Sequence, residues 1–242
     1  MLAGVAVGAL LKKRSSRLPR EQRVLEILRV AREAFRDSGY EGTTVAEIAA
    51  RLGVVEGLIY KHFDSKRALL NRVLEHWYEG LYEDYAHSLS GIRGYRQQLR
   101  YLIWRHVRTL GDDPQTCRLV LKEVRAEPNY LDSELRQMNR RYTHLLVEVL
   151  QSGIRHGDFR QDLPLPLVRD MVYGCVEHHL WGFLYGQSNL DPDRLADQIT
   201  ELLCAGIVAR TEAAGLDAQT ERLATLVDRV ESALANGGHP ST

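Results

Sequence analysis

Apolar side chains recur every third or fourth position through most of this chain, and no stretch of useful length alternates with period two. The first pattern lays an apolar stripe along a helix, whereas a half-buried strand needs the second, so the expected fold is all-α. Val24, Leu25, Leu28, Ala31, Ala34 and Phe35 share a helical face that opens near Pro19 and stops at Gly39, proline suiting a first turn and glycine an end. Leu69, Leu70, Val73, Leu74, Trp77, Tyr78, Leu81, Tyr82 and Tyr85 form a longer stripe, which predicts a helix of about five turns joining one part of the molecule to another. Leu99, Leu102, Ile103, Val107 and Leu110 define the next helix, closed by the breakers Gly111 to Pro114. Cys117, Val120, Leu121 and Val124 follow, and then Leu135, Met138, Tyr142, Leu145, Leu146 and Val149, ending near Gly153 to Gly157. Residues 165–185 are apolar on most sides, which predicts burial against both the chain's own core and a partner. Residues 191–212 present Leu195, Ile199, Leu202, Leu203, Gly206 and Ile207, and a final segment aligns Leu223, Val227, Val230 and Leu234.

Charge is unevenly placed along this framework. The formal net charge of the 242 residues is zero, yet residues 1–67 hold 13 Lys and Arg against 8 Asp and Glu, leaving 19 against 24 beyond them. A basic head on a faintly acidic body suits a compact polyanion-binding surface. Cys117, Cys175 and Cys204 lie far apart with no CxxC pair and are expected to be small buried hydrophobes in a reducing cytoplasm. The apolar run Leu2 to Leu11 is ten residues long, too short to span a bilayer. Lys12, Lys13 and Arg14 come after it, where a secretory signal would place its basic residues first. Residues 1–17 are therefore expected to be a flexible basic tail, and the protein to be cytoplasmic with no membrane partner.

The most informative window runs from Gly42 to Leu70, GTTVAEIAARLGVVEGLIYKHFDSKRALL. Thr44 stands three residues before Glu47, the spacing of a capping box, so a helix is expected from Val45 with Val45, Ile48, Ala49 and Leu52 turned inward. Gly53 supplies the positive φ of a tight turn. A second short helix is expected from about Val55 to His62, and Asp64 or Ser65 can cap the one after it. Two short helices across a glycine turn, preceded by a longer helix, are the parts of a helix-turn-helix that binds DNA.

Thr44, the pair Gly53-Val54 and the run Tyr60, Phe63, Lys66 resemble the N-terminal signature of the tetracycline-repressor (TetR) family, over about residues 20–70. The resemblance implies an N-terminal three-helix DNA-binding domain and a C-terminal helical domain for ligand binding and dimerisation. It implies that Tyr60 and Lys66 touch the DNA backbone, that Thr44 brings a helix N-terminus to a phosphate, and that Phe63 is core. A helix N-terminus offers free N–H groups to a phosphate, and Lys66 can add a point charge beside it. Thr43, Val55, Glu56, Gly57, Leu58, Lys61 and His62 complete the candidate DNA-binding set. Leu58 suits a thymine methyl and Glu56 a cytosine amino group. Val55 departs from the family, standing where a capping Ser is usual, and the missing cap is worth about 1 kcal/mol.

Residues 141–183 are similar to the C-terminal domains of family members that include regulators of fatty-acid metabolism. The expected partners are a double-stranded DNA operator, a second copy of the chain, and a small hydrophobic effector such as an acyl-CoA or fatty acid, with a drug or aromatic compound as the alternative. Candidate effector contacts are Tyr78, Tyr82, Trp104, His106, Leu121, Met138, Tyr142 and Met171, since a pocket among helices needs apolar walls with few polar groups. These readings divide the chain into a tail over 1–17, a DNA-binding domain over 18–66, a ligand-binding and dimerisation domain over 67–215, and an amphipathic helix and tail over 216–242. No HExxH, GxSxG, P-loop or dinucleotide-binding pattern is present in the sequence, so a non-enzyme without a cofactor is expected. Glu177, His178 and His179 are consecutive and point about 100° apart on a helix, so no metal site is expected from them. A helical adaptor that binds no DNA is the rival class, and it would have no need of the basic head.

Overall fold

The computed structural model describes residues 19–207 together with Leu223 and Val227. The tail over 1–17, and Val230 and Leu234 of the last predicted segment, lie outside the described residues; Leu223 and Val227 are helical and exposed. The head consists of α1 (Arg20–Gly42), α2 (Val45–Leu52) and α3 (Glu56–Tyr60). Helix α4 (Lys66–Ser90) leads into a body of α5 (Tyr95–Asp112), α6 (Pro114–Leu119), a π-helical turn (Val120–Val124), a 3-10 turn (Tyr130–Asp132), α7 (Glu134–His156), α8 (Leu165–Leu184) and α9 (Pro192–Ile207). The all-α expectation holds: among the described residues each of these elements is helical.

The head closes on a small core. Ile27, Leu28, Ala31, Ala34 and Phe35 of α1 meet Ile48 and Ala49 of α2, Ile59 of α3 and Phe63, all of them buried. Leu25 is the exception to the predicted stripe, 49% exposed. The first helix also runs past its expected stop: Gly39 takes φ 72° and kinks the chain before one more turn. That kink needs a residue without a Cβ.

Helix α4 is 25 residues long, about seven turns rather than five, because half-buried Ala86 and Leu89 continue the packing beyond Tyr85. Helix α5 is central to the body and touches α4, α6, α7, α8 and α9, with Leu99, Leu102, Ile103 and Val107 almost wholly enclosed. Polar pairs bind head to body. Arg32 and Arg36 of α1 both reach the buried carboxylate of Asp113, Arg36 Nε at 3.0 Å. Arg67, at the start of α4, donates to the Glu123 carbonyl at 3.1 Å and pairs with Glu127 at 3.2 Å.

Helices α8 and α9 each leave one side uncovered. Leu167 and Met171 of α8 are 56% and 60% exposed, and Leu202 of α9 is 77% exposed. Gly174, Cys175 and His178 continue the exposed α8 stripe. Cys175 therefore departs from the expectation of three buried thiols, while Cys117 and Cys204 are buried. A helix that is apolar all round cannot indicate which side faces its own core.

Candidate nucleic-acid interface and ligand cavity

Local chemistry sets the head's outer surface. The Thr44 hydroxyl accepts the Glu47 N–H at 3.1 Å and starts α2. The Glu47 carboxylate pairs with Arg51 at 2.7 Å, so only half of a reciprocal box forms. Gly53, at φ 68°, ends α2 with its N–H on the carbonyls of Ala49 and Ala50, and the chain re-enters a helix at Glu56. No side chain caps α3, and Val55 before it is 76% exposed. With Ile59 buried beneath it, the short helix is fixed by packing rather than by a cap.

Helix α3 presents a convex face. Glu56, Gly57, Tyr60 and Lys61 are exposed, Leu58 and His62 half-buried. Lys61 and His62 fall in the turn after α3, which is shorter than the expected span to His62. A Cβ built at Gly57 would meet nothing within 4 Å, so this side of α3 stands clear of the protein. Two predicted contacts are differently placed. Thr43 is wholly buried, its single hydroxyl proton shared between the carbonyls of Gly39 at 2.7 Å and Ala34 at 3.0 Å. Lys66 is half-buried, and its Nζ donates to the carbonyls of Tyr40 and Thr43 at 2.8 and 3.0 Å while lying 4.3 Å from the Tyr40 ring centre. An ammonium has three donors, and two of those on Lys66 are committed to holding the loop between α1 and α2.

The body encloses a cavity of about 470 Å³ between α4, α5, the α6–π segment, α7 and α8. Of the eight candidate effector contacts, Tyr78, His106, Leu121 and Tyr142 line it. Tyr82, Trp104, Met138 and Met171 do not. Tyr82 lies beneath the Arg141 guanidinium at 4.0 Å, Trp104 stacks near Tyr101 and Arg108, Met138 packs on the core, and Met171 is on the uncovered side of α8. Trp77, Arg125, Arg140 and Tyr173 are lining residues outside the candidate set. Their sequence signal was weak. Tyr173 stands two positions from Met171 on a helix with no polar side, and Arg125 comes at the end of a π-turn that periodicity does not announce.

The cavity has two chemical ends. Arg136, Arg140, Arg169 and the exposed Asp170 stand on its open side. Arg169 pairs with Asp170 at 2.7 Å and Arg136 donates to the Leu131 carbonyl, whereas the Arg140 guanidinium has no partner among the described residues. The inner wall is a chain of hydrogen bonds: His106 Nδ1 to the Tyr142 hydroxyl at 2.6 Å, Tyr142 to the Tyr85 hydroxyl at 3.3 Å, and Tyr85 to Thr109 Oγ1 at 2.8 Å. Burial, and then the charge of Arg125, push His106 down to about 3, so it is neutral at ordinary pH. Burial likewise pushes the Tyr85 hydroxyl up to about 12. Arg125 itself is balanced by Glu177 at 2.7 Å. Among the described residues no three His, Cys, Asp or Glu side chains are grouped to hold a metal ion.

A family model described as bacterial regulatory proteins of the tetR family matches residues 27–73, and one described as the C-terminal region of YsiA-like protein matches residues 75–206. The fatty acid metabolism regulator protein of Bacillus subtilis (strain 168) is 24% identical over 187 residues, 76% of this chain and 94% of the relative. The HTH-type transcriptional repressor KstR2 of Rhodococcus jostii (strain RHA1) is 24% identical over 189 residues, 76% of this chain and 90% of the relative. The crystal structure of the transcriptional regulator FadR from Bacillus subtilis in complex with stearoyl-CoA superimposes with a TM-score of 0.67 at 23% identity, over 76% of this chain and 98% of that one. That likeness shows the fold. With one model covering the head and a second covering most of the body, this chain belongs to the tetR family of bacterial regulatory proteins, with a YsiA-like C-terminal region.

Proposed function

We propose that the protein is a transcriptional repressor that binds a two-fold operator as a homodimer and leaves it when an acyl-CoA fills the body cavity. The carrying observation is the make-up of that cavity, a chamber walled by aromatic and aliphatic side chains with a polar inner wall, whose open side bears arginines, one of them unpaired among the described residues. An acyl chain suits the chamber and the phosphates of a CoA suit the guanidinium groups, which recognise phosphate in planar, paired fashion. The stearoyl-CoA held by the Bacillus FadR points to the same ligand class.

The head supplies one short reading helix, too little for a unique site, so two copies are needed on half-sites about 34 to 36 Å apart. The uncovered apolar sides of α8 and α9 are the surfaces for that pairing, since exposed apolar stripes of this kind mark contact regions. On the head, Glu56, Gly57, Leu58 and Tyr60 face the groove, while Thr44 and Lys61 meet phosphate.

The test is operator release. A site selected from random DNA is bound by the protein and titrated with CoA thioesters of graded chain length and with CoA alone. The expected result is a fall in DNA affinity of about 5- to 150-fold, with DNA weakening thioester binding by the same factor. Release by an aromatic acid or drug, with no response to any thioester, assigns the aromatic-lined cavity to that class instead.

A further inference from the structure

Arg125 stands inside the chamber rather than among the arginines of its open side. It follows directly on the π-turn of the wall. Its charge reaches Tyr78 of α4, His106 of α5 and Cys117 of α6, three side chains that line the same space. A guanidinium carries five N–H donors and accepts nothing, so the direction of any bond it makes is fixed, wherever its neighbours keep their protons. Glu177 Oε2, 2.7 Å from Nη1, takes one of the five. The Nε–H is enclosed and meets no acceptor. Counting the neighbouring Tyr78 hydroxyl as a second acceptor still leaves three donors unanswered among the described residues. Arg125 and Glu177 keep 31% and 34% of their side-chain surface open, and both line the cavity.

We infer that the acyl portion of the effector brings an uncharged oxygen acceptor to Arg125. The inference rests on the acyl-CoA reading and names what that acyl group must offer. A bare hydrocarbon laid against the guanidinium would strip it of water and return no bond, and a charged donor shut away without a partner is costly. Charge then decides the kind of oxygen. Glu177 already balances Arg125, His106 is neutral, and the unpartnered Arg140 stands on the open side. A carboxylate brought to Arg125 would therefore lie against that of Glu177, and two like charges at one site repel. A carbonyl accepts up to two bonds and adds no charge. Every acyl thioester has one carbonyl, and a keto chain has a second.

Calorimetry with the full-length protein tests this on four kinds of ligand: dodecanoyl-CoA, the thioether S-dodecyl-CoA that lacks its carbonyl, a position series of oxododecanoyl-CoAs, and dodecanedioyl-CoA with its terminal carboxylate. One carbonyl is expected to be worth about tenfold or more in affinity. Dodecanoyl-CoA outbinding its thioether by that factor identifies the thioester carbonyl as the acceptor. A ketone at one position outbinding dodecanoyl-CoA identifies a chain carbonyl instead. Dodecanedioyl-CoA should gain nothing over dodecanoyl-CoA. The double variant Arg125→Met with Glu177→Gln removes both charges, so that neither is left buried alone. In that variant, checked by thermal melting to be folded, the advantage of the carbonyl should disappear. Isotope-edited infrared spectra supply a readout that needs no variant: the stretching band of the preferred carbonyl, labelled with ¹³C, should fall below its position in water when the ligand binds. Thioether, ester and every ketone binding alike, the dicarboxylate outbinding them all, an unshifted band, or an advantage surviving in the double variant would each overturn the inference while leaving the acyl-CoA reading intact. Failure of all the CoA compounds to bind would instead remove that reading, and this inference with it.

Discussion

The head and the body of this molecule treat their polar groups in opposite ways. In the head, Thr43, Thr44 and Lys66 spend hydroxyl and ammonium groups on neighbouring backbone, so that a five-residue helix without a cap is held rigidly outward. In the body, His106 and Arg140 keep groups without partners among the described residues. The difference follows from shape. A convex reading surface must be stiff before it meets a flat, charged partner, and internal bonds supply that stiffness. A concave site must hold unsatisfied groups in reserve, because its ligand arrives inside and completes them.

The largest break in that comparison is expected from Phe63→Ala. Phe63 is 7% exposed in the small head core, and truncating a buried Phe costs about 3–5 kcal/mol. DNA binding should be lost while thioester binding, measured by calorimetry, persists; loss of both together would mean that the two regions fold as one unit. Lys66→Ala should come next, removing two charged hydrogen bonds to carbonyls and lowering stability in urea by about 1.5–3 kcal/mol. Its mirror is Lys61→Ala, on the exposed turn, which should leave stability within about 0.5 kcal/mol and flatten the salt dependence of DNA binding by about 0.9 of a unit. If Lys66→Ala is the one that changes the salt slope, leaving stability alone, the division of labour between these lysines is reversed.

The last effect belongs to the body and is read through pH. The folded value of His106 lies near 3, below its ordinary 6.5. Between those values the unfolded chain takes up a proton that the folded chain refuses, so stability falls as pH drops through that window. The contribution is at most about 1.4 kcal/mol per pH unit. Urea melts at pH 7, 6 and 5 should therefore converge between wild type and His106→Gln as acid is added, the variant lacking this part of the slope. Parallel losses in the two proteins would show that His106 is not held neutral.

How legible each region was follows from the range of its contacts. Thr44 to Glu47, Ala49 to Gly53 and Ser65 to Ala68 are bonds between residues three or four apart, and such spacings can be read directly from a string of letters. Thr43 and Lys66 were harder. Thr43 reaches back to both Gly39 and Ala34, 4 and 9 residues away, through a kink that sequence does not announce, and the Lys66 bonds span 26 and 23 residues; nothing local distinguishes a lysine that staples a loop from one that waits for a phosphate. The cavity joins Trp77 to Leu180 across five elements. Periodicity found those helices, yet on α8, apolar on nearly every side, the sequence reading chose Met171 and passed over Tyr173, whereas packing sends Met171 outward and Tyr173 into the cavity wall. The hydrogen-bonded chain through His106, Tyr142, Tyr85 and Thr109 lies further still from sequence, since its bonds join residues 36, 57 and 24 positions apart.

The π-turn at Val120–Val124 carries a consequence for how such a protein diversifies. A turn of this type is an α-helix that has taken in one extra residue, and here it sits in the cavity wall immediately before Arg125. Losing a single codon in this stretch would let the backbone relax to the ordinary helical register and swing every later side chain of the segment by about 100°. Arg125 would then leave Glu177, and the chamber would change both outline and charge in one mutational step while the head stayed untouched. A lineage can thus acquire a new effector range without first passing through a series of weaker core substitutions.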